Sequence, residues 1–281
     1  MKPVESVAHR GWDARLDLSF RREGARSILA KRSSYGPLAI QKALYPEGDG
    51  VCHVILLHPP GGIAGGDRLG IHIAVERDSH ALLTTPGATK WYRTIGPEAA
   101  QTVHIAIGAG ATCEWMPQEN IFFDATRARN VVEVELGAGA IFCGWDVMCL
   151  GRTASGERFG TGWVRQQWRI DSNGKPMFEE LGTIEGGSAM LDSPAALAGY
   201  PVCGTFLLAG VKIDRAAIEF CRNVVPEADC QWGVTVMDDL LVARCLARSG
   251  EAARRYFMAM WDHLRPGYAT VPAKAPRIWA T

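Results

Sequence analysis

Residue types able to carry chemistry gather in three short stretches. The first is HPPGGIAGGDRL, His58 to Leu69, which holds a histidine, four glycines and an Asp-Arg pair after the apolar run VCHVILL. A phosphate-binding loop has the pattern G-x-x-x-x-G-K-[ST], in which backbone N–H groups wrap the phosphates and a lysine meets their charge. Gly61 and Gly66 have the glycine spacing, but Asp67 stands where the lysine belongs, and a carboxylate repels phosphate. G-x-G-x-x-G is absent too, so a nucleotide site is disfavoured. Two readings stay open. In one, the prolines stiffen a strand exit, the glycines supply positive φ and Asp67 bonds local backbone. In the other, His58 is a metal ligand, although no nearby His or Cys completes a ligand pair.

The second stretch is LTTPGATKWYR, 83–93. Lys90, Trp91, Tyr92 and Arg93 make either an amphipathic partner surface or an ordinary packed turn. The third is EWMPQENIFFDATRAR, 114–129, with Glu119 and Asp124 around NIFF. Paired carboxylates can do acid–base work or hold a divalent ion, and their bland alternative is a solvated loop edge. Asp146, Glu157, Glu180 and Glu185 are more scattered acids. G-x-S-x-G is missing, and the serine of RTASGERF has no elbow around it. There is no H-E-x-x-H and no histidine cluster. The residues therefore favour a binding or scaffold role. The rival is a metal-dependent hydrolase or isomerase using the acidic loops.

The elements that must position these residues are short. Apolar runs rich in β-branched and aromatic residues alternate with Gly, Pro and Asp along most of the chain, which predicts strands and turns. VHIAIGAGATCEW (103–115) repeats as VEVELGAGAIFCGW (132–145) at an offset of 29 residues, and LGIHIAVERDSHALL (69–83) is a looser copy. Such a period is how stacked β layers look in sequence; a sandwich of hairpins is the alternative. DSNGKP predicts a tight hairpin, Asp238-Asp239 a second, and 182–204 a surface loop. DRAAIEFCRNVV has helical spacing, with Asp214 as N-cap, Ala217, Ile218, Cys221, Val224 and Val225 on one face, and Pro226 as its end. A second helix is expected over 250–264, capped by Ser249, with Phe257, Met260, Trp261 and Leu264 facing in and Pro266 stopping it. The tail VPAKAPRIWAT reads as extended. The expected fold is mainly β, in stacked layers with about two helices toward the C-terminus.

Composition narrows the function. The chain has 281 residues, 30 basic and 30 acidic, so no global field draws it to nucleic acid or anionic lipid. The N-terminal MKPVESVAHRGWDARLDL lacks the apolar core of a secretory signal, and no apolar run is long enough to span a membrane. Eight cysteines include no C-x-x-C, which points to buried thiols in a reducing cytoplasm.

HPPGGIAGGDRL, LLTTPGATKWYR, EWMPQENIFFD, GWDVMCLGRTASGERF (144–159) and the terminal PRIWAT, in this order, closely resemble the UreD (UreH) family of urease accessory proteins. The likeness runs from GWDARLDLSF to the last residue. It implies a single domain over 1–281 that is no enzyme and holds no permanent cofactor. It further implies docking on apo-urease, recruitment of a helical UreF-like protein and, through it, a UreG-like GTPase. It implies stacked β layers with two helices, and an internal passage for nickel. A passage needs weak, hydrated carboxylates, since clustered Cys or His would trap the ion. Asp67, Glu119, Asp124, Asp146 and Glu180 are its candidate lining. Lys90, Trp91, Tyr92, Arg93, Arg277, Ile278 and Trp279 are candidate partner contacts, Arg and Trp being common hot-spot residues.

Overall fold

Alternating apolar residues between turn signals become strands that stack in register. The computed structural model describes residues 11–94, 96–226, 229–269 and 271–280. The first ten residues, part of the segment tested for a secretory signal, and Thr281 of the terminal motif lie outside the described residues. The chain begins with β1 (Asp13–Glu23), β2 (Arg26–Tyr35), β3 (Ala39–Ile40), β4 (Cys52–Leu57), β5 (Arg68–Val75) and β6 (His80–Thr84). It continues with β7 (Thr89–Trp91), β8 (Ala99–Ile107), β9 (Thr112–Met116), β10 (Asn120–Phe122), β11 (Arg127–Leu136) and β12 (Ile141–Leu150). It ends with β13 (Trp163–Ser172), β14 (Lys175–Glu185), β15 (Val202–Ala209), α1 (Arg215–Asn223), β16 (Gln231–Met237), β17 (Leu240–Ala247) and α2 (Gly250–Ala269).

One sheet has the order β14-β13-β11-β8-β5-β1-β2, the other β16-β17-β15-β12-β9-β6-β4-β3. The sequence repeat is the register itself. Val132 pairs with Val103, Val134 with Ile105 and Leu136 with Ile107 in the parallel β11–β8 ladder. Ile71, Ile73 and Val75 of the looser copy meet the same three residues from the other side. The second sheet stacks β4, β6, β9 and β12 in parallel, and β7, β10 and the end of β12 form a short third ladder. This is a β-solenoid of about four turns, which decides against a plain sandwich of hairpins. Antiparallel hairpins flank it, among them β13–β14 with Asn173 and Gly174 at positive φ.

The two sheets share one apolar core. A second core lies on the outer face of the second sheet, where Tyr256, Phe257, Met260 and Trp261 of α2 pack on Trp145 and Phe206. Asp214 caps α1 by accepting from Ala217 N at 2.7 Å, and Ser249 Oγ accepts from Ala252 N at 3.2 Å.

Four expectations need correction. Pro266 does not stop the second helix, which runs to Ala269. Proline removes one intrahelical bond, and here the neighbours Arg265 and Tyr268 are anchored by buried partners that carry the helix past it. Val225 is exposed because α1 ends at Asn223. The segment 182–204 is strand at both ends, in β14 and β15. The tail closes in a 3₁₀ turn, Arg277–Ala280, folded onto the second core.

Candidate functional site

At one level of the solenoid the core between the sheets turns from apolar to amide. Gln101 of β8, Asn130 of β11 and Gln166 of β13 are register neighbours, each two residues ahead of an inward apolar pair. Gln101 Nε2 donates to Asn130 Oδ1 at 3.2 Å. Asp146 of β12 faces this ladder from the opposite sheet. Its Oδ1 accepts from Asn120 Nδ2 and its Oδ2 from Gln166 Nε2, both at 2.7 Å. Asn120 is aimed by Trp91, whose Nε1 donates to Asn120 Oδ1 at 2.9 Å. Among the described residues no cation pairs with Asp146. Burial raises its pKa to about 6, against the Asn120 hydrogen bond and with the help of the Glu180 charge.

Asp146 and Trp168 line two cavities. The smaller, of about 50 Å³, lies between the sheets and is also lined by His58, Asn120 and Asn130. The larger, of about 440 Å³, adds Gln166, Glu180, Met148 and Arg244. Arg244 of β17 donates to both oxygens of Glu180 on β14, at 2.9 and 2.6 Å, and so joins the two sheets at this cavity. Gln166 Oε1, Trp168 Nε1 and both ring nitrogens of His58 are buried without a hydrogen-bond partner. Burial lowers the His58 pKa against the pull of Asp67, so the ring is neutral at pH 7. Cys203 and Cys245 also line the larger cavity, but burial pushes both thiols up to about 12 and leaves them poor nucleophiles. The seam thus offers oxygen donors with spare capacity. Among the described residues, no group of three or more His, Cys, Asp or Glu is placed to hold a metal ion.

A second polar cluster lies on the other face of the same sheet, beneath α2. Glu114 accepts from Arg265 Nε and from Tyr268 Oη, each at 2.9 Å, and His80 Nε2 stands 3.5 Å away. Arg265 also donates to both oxygens of Glu47 and, at 2.6 Å, to Pro272 O; Glu47 in turn meets His53. Burial alone would raise the Glu114 pKa, but His80 and Arg265 outweigh it and hold it at about 2. The cluster ties α2, the turn before β4 and the tail into one block.

The sequence candidates separate by this geometry. Asp146 and Glu180 share a cavity. Asp67 is buried in its turn, where it accepts from Trp12 N and Ala64 N at 2.8 Å each. Asp124 accepts from Gly160 N and Thr161 N; these bonds outweigh its modest burial and lower its pKa. Glu119 lies 3.4 Å from Arg254 of α2. Trp91 is fully buried and stacks on Phe122, whereas Lys90 and Arg93 are exposed. Tyr92 meets Phe123 edge-on, and any side chain at Gly62 would strike the Tyr92 ring at 2.5 Å. Arg277 is exposed and Ile278 half-buried. Trp279 packs against Trp145 and Trp261 and donates to Thr84 Oγ1 at 2.8 Å.

Sequence reasoning missed Glu114, Arg265 and the amide ladder. The ladder had a signal, since Gln101 and Asn130 occupy equivalent positions in the 29-residue repeat. Glu114 had none, because its partner is 151 residues away.

The chain is a β-solenoid whose apolar core is broken by one polar level and whose flank carries a locked helix. Residues 12–280 match the UreD urease accessory protein family. The chain is 46% identical over 275 residues to a urease accessory protein UreD of Azoarcus sp., covering 98% of this chain and 96% of the relative. It is 47% identical over 283 residues to that of Dechloromonas aromatica, covering 99% and 98%, and 44% identical over 270 residues to that of Pseudomonas fluorescens, covering 96% and 95%. The chain belongs to the UreD family of urease accessory proteins, a non-catalytic role in urease maturation. No helix among the described residues is long and apolar enough to cross a membrane.

Proposed function

We propose that this chain is a cytoplasmic chaperone of nickel insertion that docks on apo-urease, recruits a UreF-like helical protein and, through it, a UreG-like GTPase, and carries nickel through its interior. The observation that carries the passage is Asp146, a buried carboxylate held only by neutral amides and lining two cavities. Its donors fit a cargo in transit. A cation paired permanently to Asp146 would block the site, and a thiolate cluster would hold a borderline metal too tightly to release it. Glu180 is assigned to the wall of the same passage because it lines the larger cavity, where Arg244 holds it and leaves Asp146 as the unpaired acid. Asp67, Glu119 and Asp124 are left out, because they line neither cavity. The exposed cations Lys90, Arg93 and Arg277 are proposed as partner contacts.

Co-expression of urease with its accessory proteins, with and without this chain, tests the reading. Capture of apo-urease and of the UreF-like and UreG-like proteins on the tagged chain is expected, with urease nickel content lost when the chain is omitted. Absence of capture would overturn the chaperone role, and full loading without the chain would overturn the nickel role. Charge reversal at Lys90, Arg93 and Arg277 is expected to weaken capture while leaving the fold intact.

A further inference from the structure

We propose that His58 is the ligand by which the passage selects nickel from the harder divalent cations around it. The inference rests on the passage reading above. Asp146, Gln166 and Glu180 present oxygen atoms, and oxygen donors suit Mg²⁺, Ca²⁺ and Mn²⁺. A conduit made of these alone would favour magnesium by abundance. Imidazole reverses that preference, because a nitrogen donor suits nickel.

His58 is placed for this task. It lines the same small cavity as Asp146. Among the described residues it is the only histidine with both ring nitrogens buried and unpartnered. His53 and His80 face Glu47 and Glu114, His104 faces Glu135, and His263 lies flat on Phe220 at 3.5 Å. The turn that follows His58 does not engage its ring nitrogens. Gly61 N donates to His58 O at 2.9 Å, and Asp67, the nearest acid in the motif, spends both oxygens on Trp12 N and Ala64 N. Cavity size adds to the selection. A space of about 50 Å³ holds only a few water-sized groups. An ion entering it must exchange hydration water for protein ligands, a step Mg²⁺ takes reluctantly. His58 and Asp146 together then offer one nitrogen and one carboxylate, enough to replace lost water and too few to trap the ion.

The test is equilibrium dialysis of the full chain against Ni²⁺, with and without excess Mg²⁺, for wild type, H58Q and H58A. Loss of a ligand costs at least as much as loss of a ligand's supporting partner, so nickel affinity should fall on the order of 10-fold or more in both variants. Magnesium should then compete, as it does not in wild type. Unchanged nickel affinity in both variants overturns the assignment. Nitrogen NMR of the histidines in the unmodified chain needs no variant to fold: Ni²⁺ should broaden the His58 ring signals first, and their indifference overturns the assignment equally. D146N, assayed by urease nickel content in co-expression, separates the two claims. If D146N loads urease normally, the passage itself falls. If D146N blocks loading while H58Q binds nickel and loads urease like wild type, only the role of His58 falls.

Discussion

Glu114 and Asp146 lie on neighbouring strands of one sheet, both buried, on opposite faces, and their acidities are driven in opposite directions. Glu114 is held at about 2, Asp146 lifted to about 6. Desolvation acts on both in the same sense, so the partners make the difference. Glu114 has a guanidinium, a phenol and an imidazole around it. Asp146 has the amides of Asn120 and Gln166. A saturated carboxylate fixes structure, and one whose charge is left unbalanced can receive a cation. The outer face of the sheet is a clamp, and the inner face is where we propose the passage.

The largest effect should come from breaking the clamp. Glu114→Gln breaks the buried ion pair with Arg265 Nε, weakens the acceptor of Tyr268 Oη and leaves Glu47 as the only carboxylate on Arg265, a loss of about 3–5 kcal/mol in urea unfolding. Trp279→Ala strips the tail from Trp145 and Trp261 and should cost about 3 kcal/mol, read as a lower unfolding midpoint. Asp146 should show the opposite pH sign to Glu114. Its pKa is raised by folding, so its contribution to stability is complete below the unfolded value near 3.8 and is lost as pH rises through about 6. The wild-type chain should therefore lose about 2–3 kcal/mol relative to Asp146→Asn between pH 4 and pH 7, seen by urea unfolding across that range. Glu114, with its pKa lowered, keeps its contribution above the unfolded value and loses it only as pH falls toward about 2. The smallest effect is expected at Asp124→Ala, which frees the backbone amides of Gly160 and Thr161 at a half-exposed turn and should cost about 1–2 kcal/mol by the same assay.

Local signals made the solenoid legible. The equivalence of Val103 with Val132 and of Ile105 with Val134 is the ladder register, and Asp214, Asn173-Gly174 and Asp238-Asp239 act where turn and cap chemistry places them. What failed depended on distance. Pro266 reads as a stop because its effect is local, while the contacts that carry α2 past it come from Glu47 and Glu114, far away in the chain. Trp91 beside Lys90 and Arg93 reads equally as partner surface or packed turn, because its buried partner is Asn120 on another turn of the solenoid. Asp146 is legible as a candidate, but that its partners among the described residues are amides and not cations is not, since that follows from which side chains face it across the core.

The most direct measurement is the nickel content of urease matured with the Asp146→Asn chain in place of wild type, with partner capture checked in the same cells. Asparagine keeps the size of the side chain and removes the charge. A folded variant that captures its partners and leaves urease depleted of nickel is the expected result. Urease loaded to the wild-type level by that variant would contradict the division between clamp and passage, and the seam between the sheets would then be only a feature of the fold.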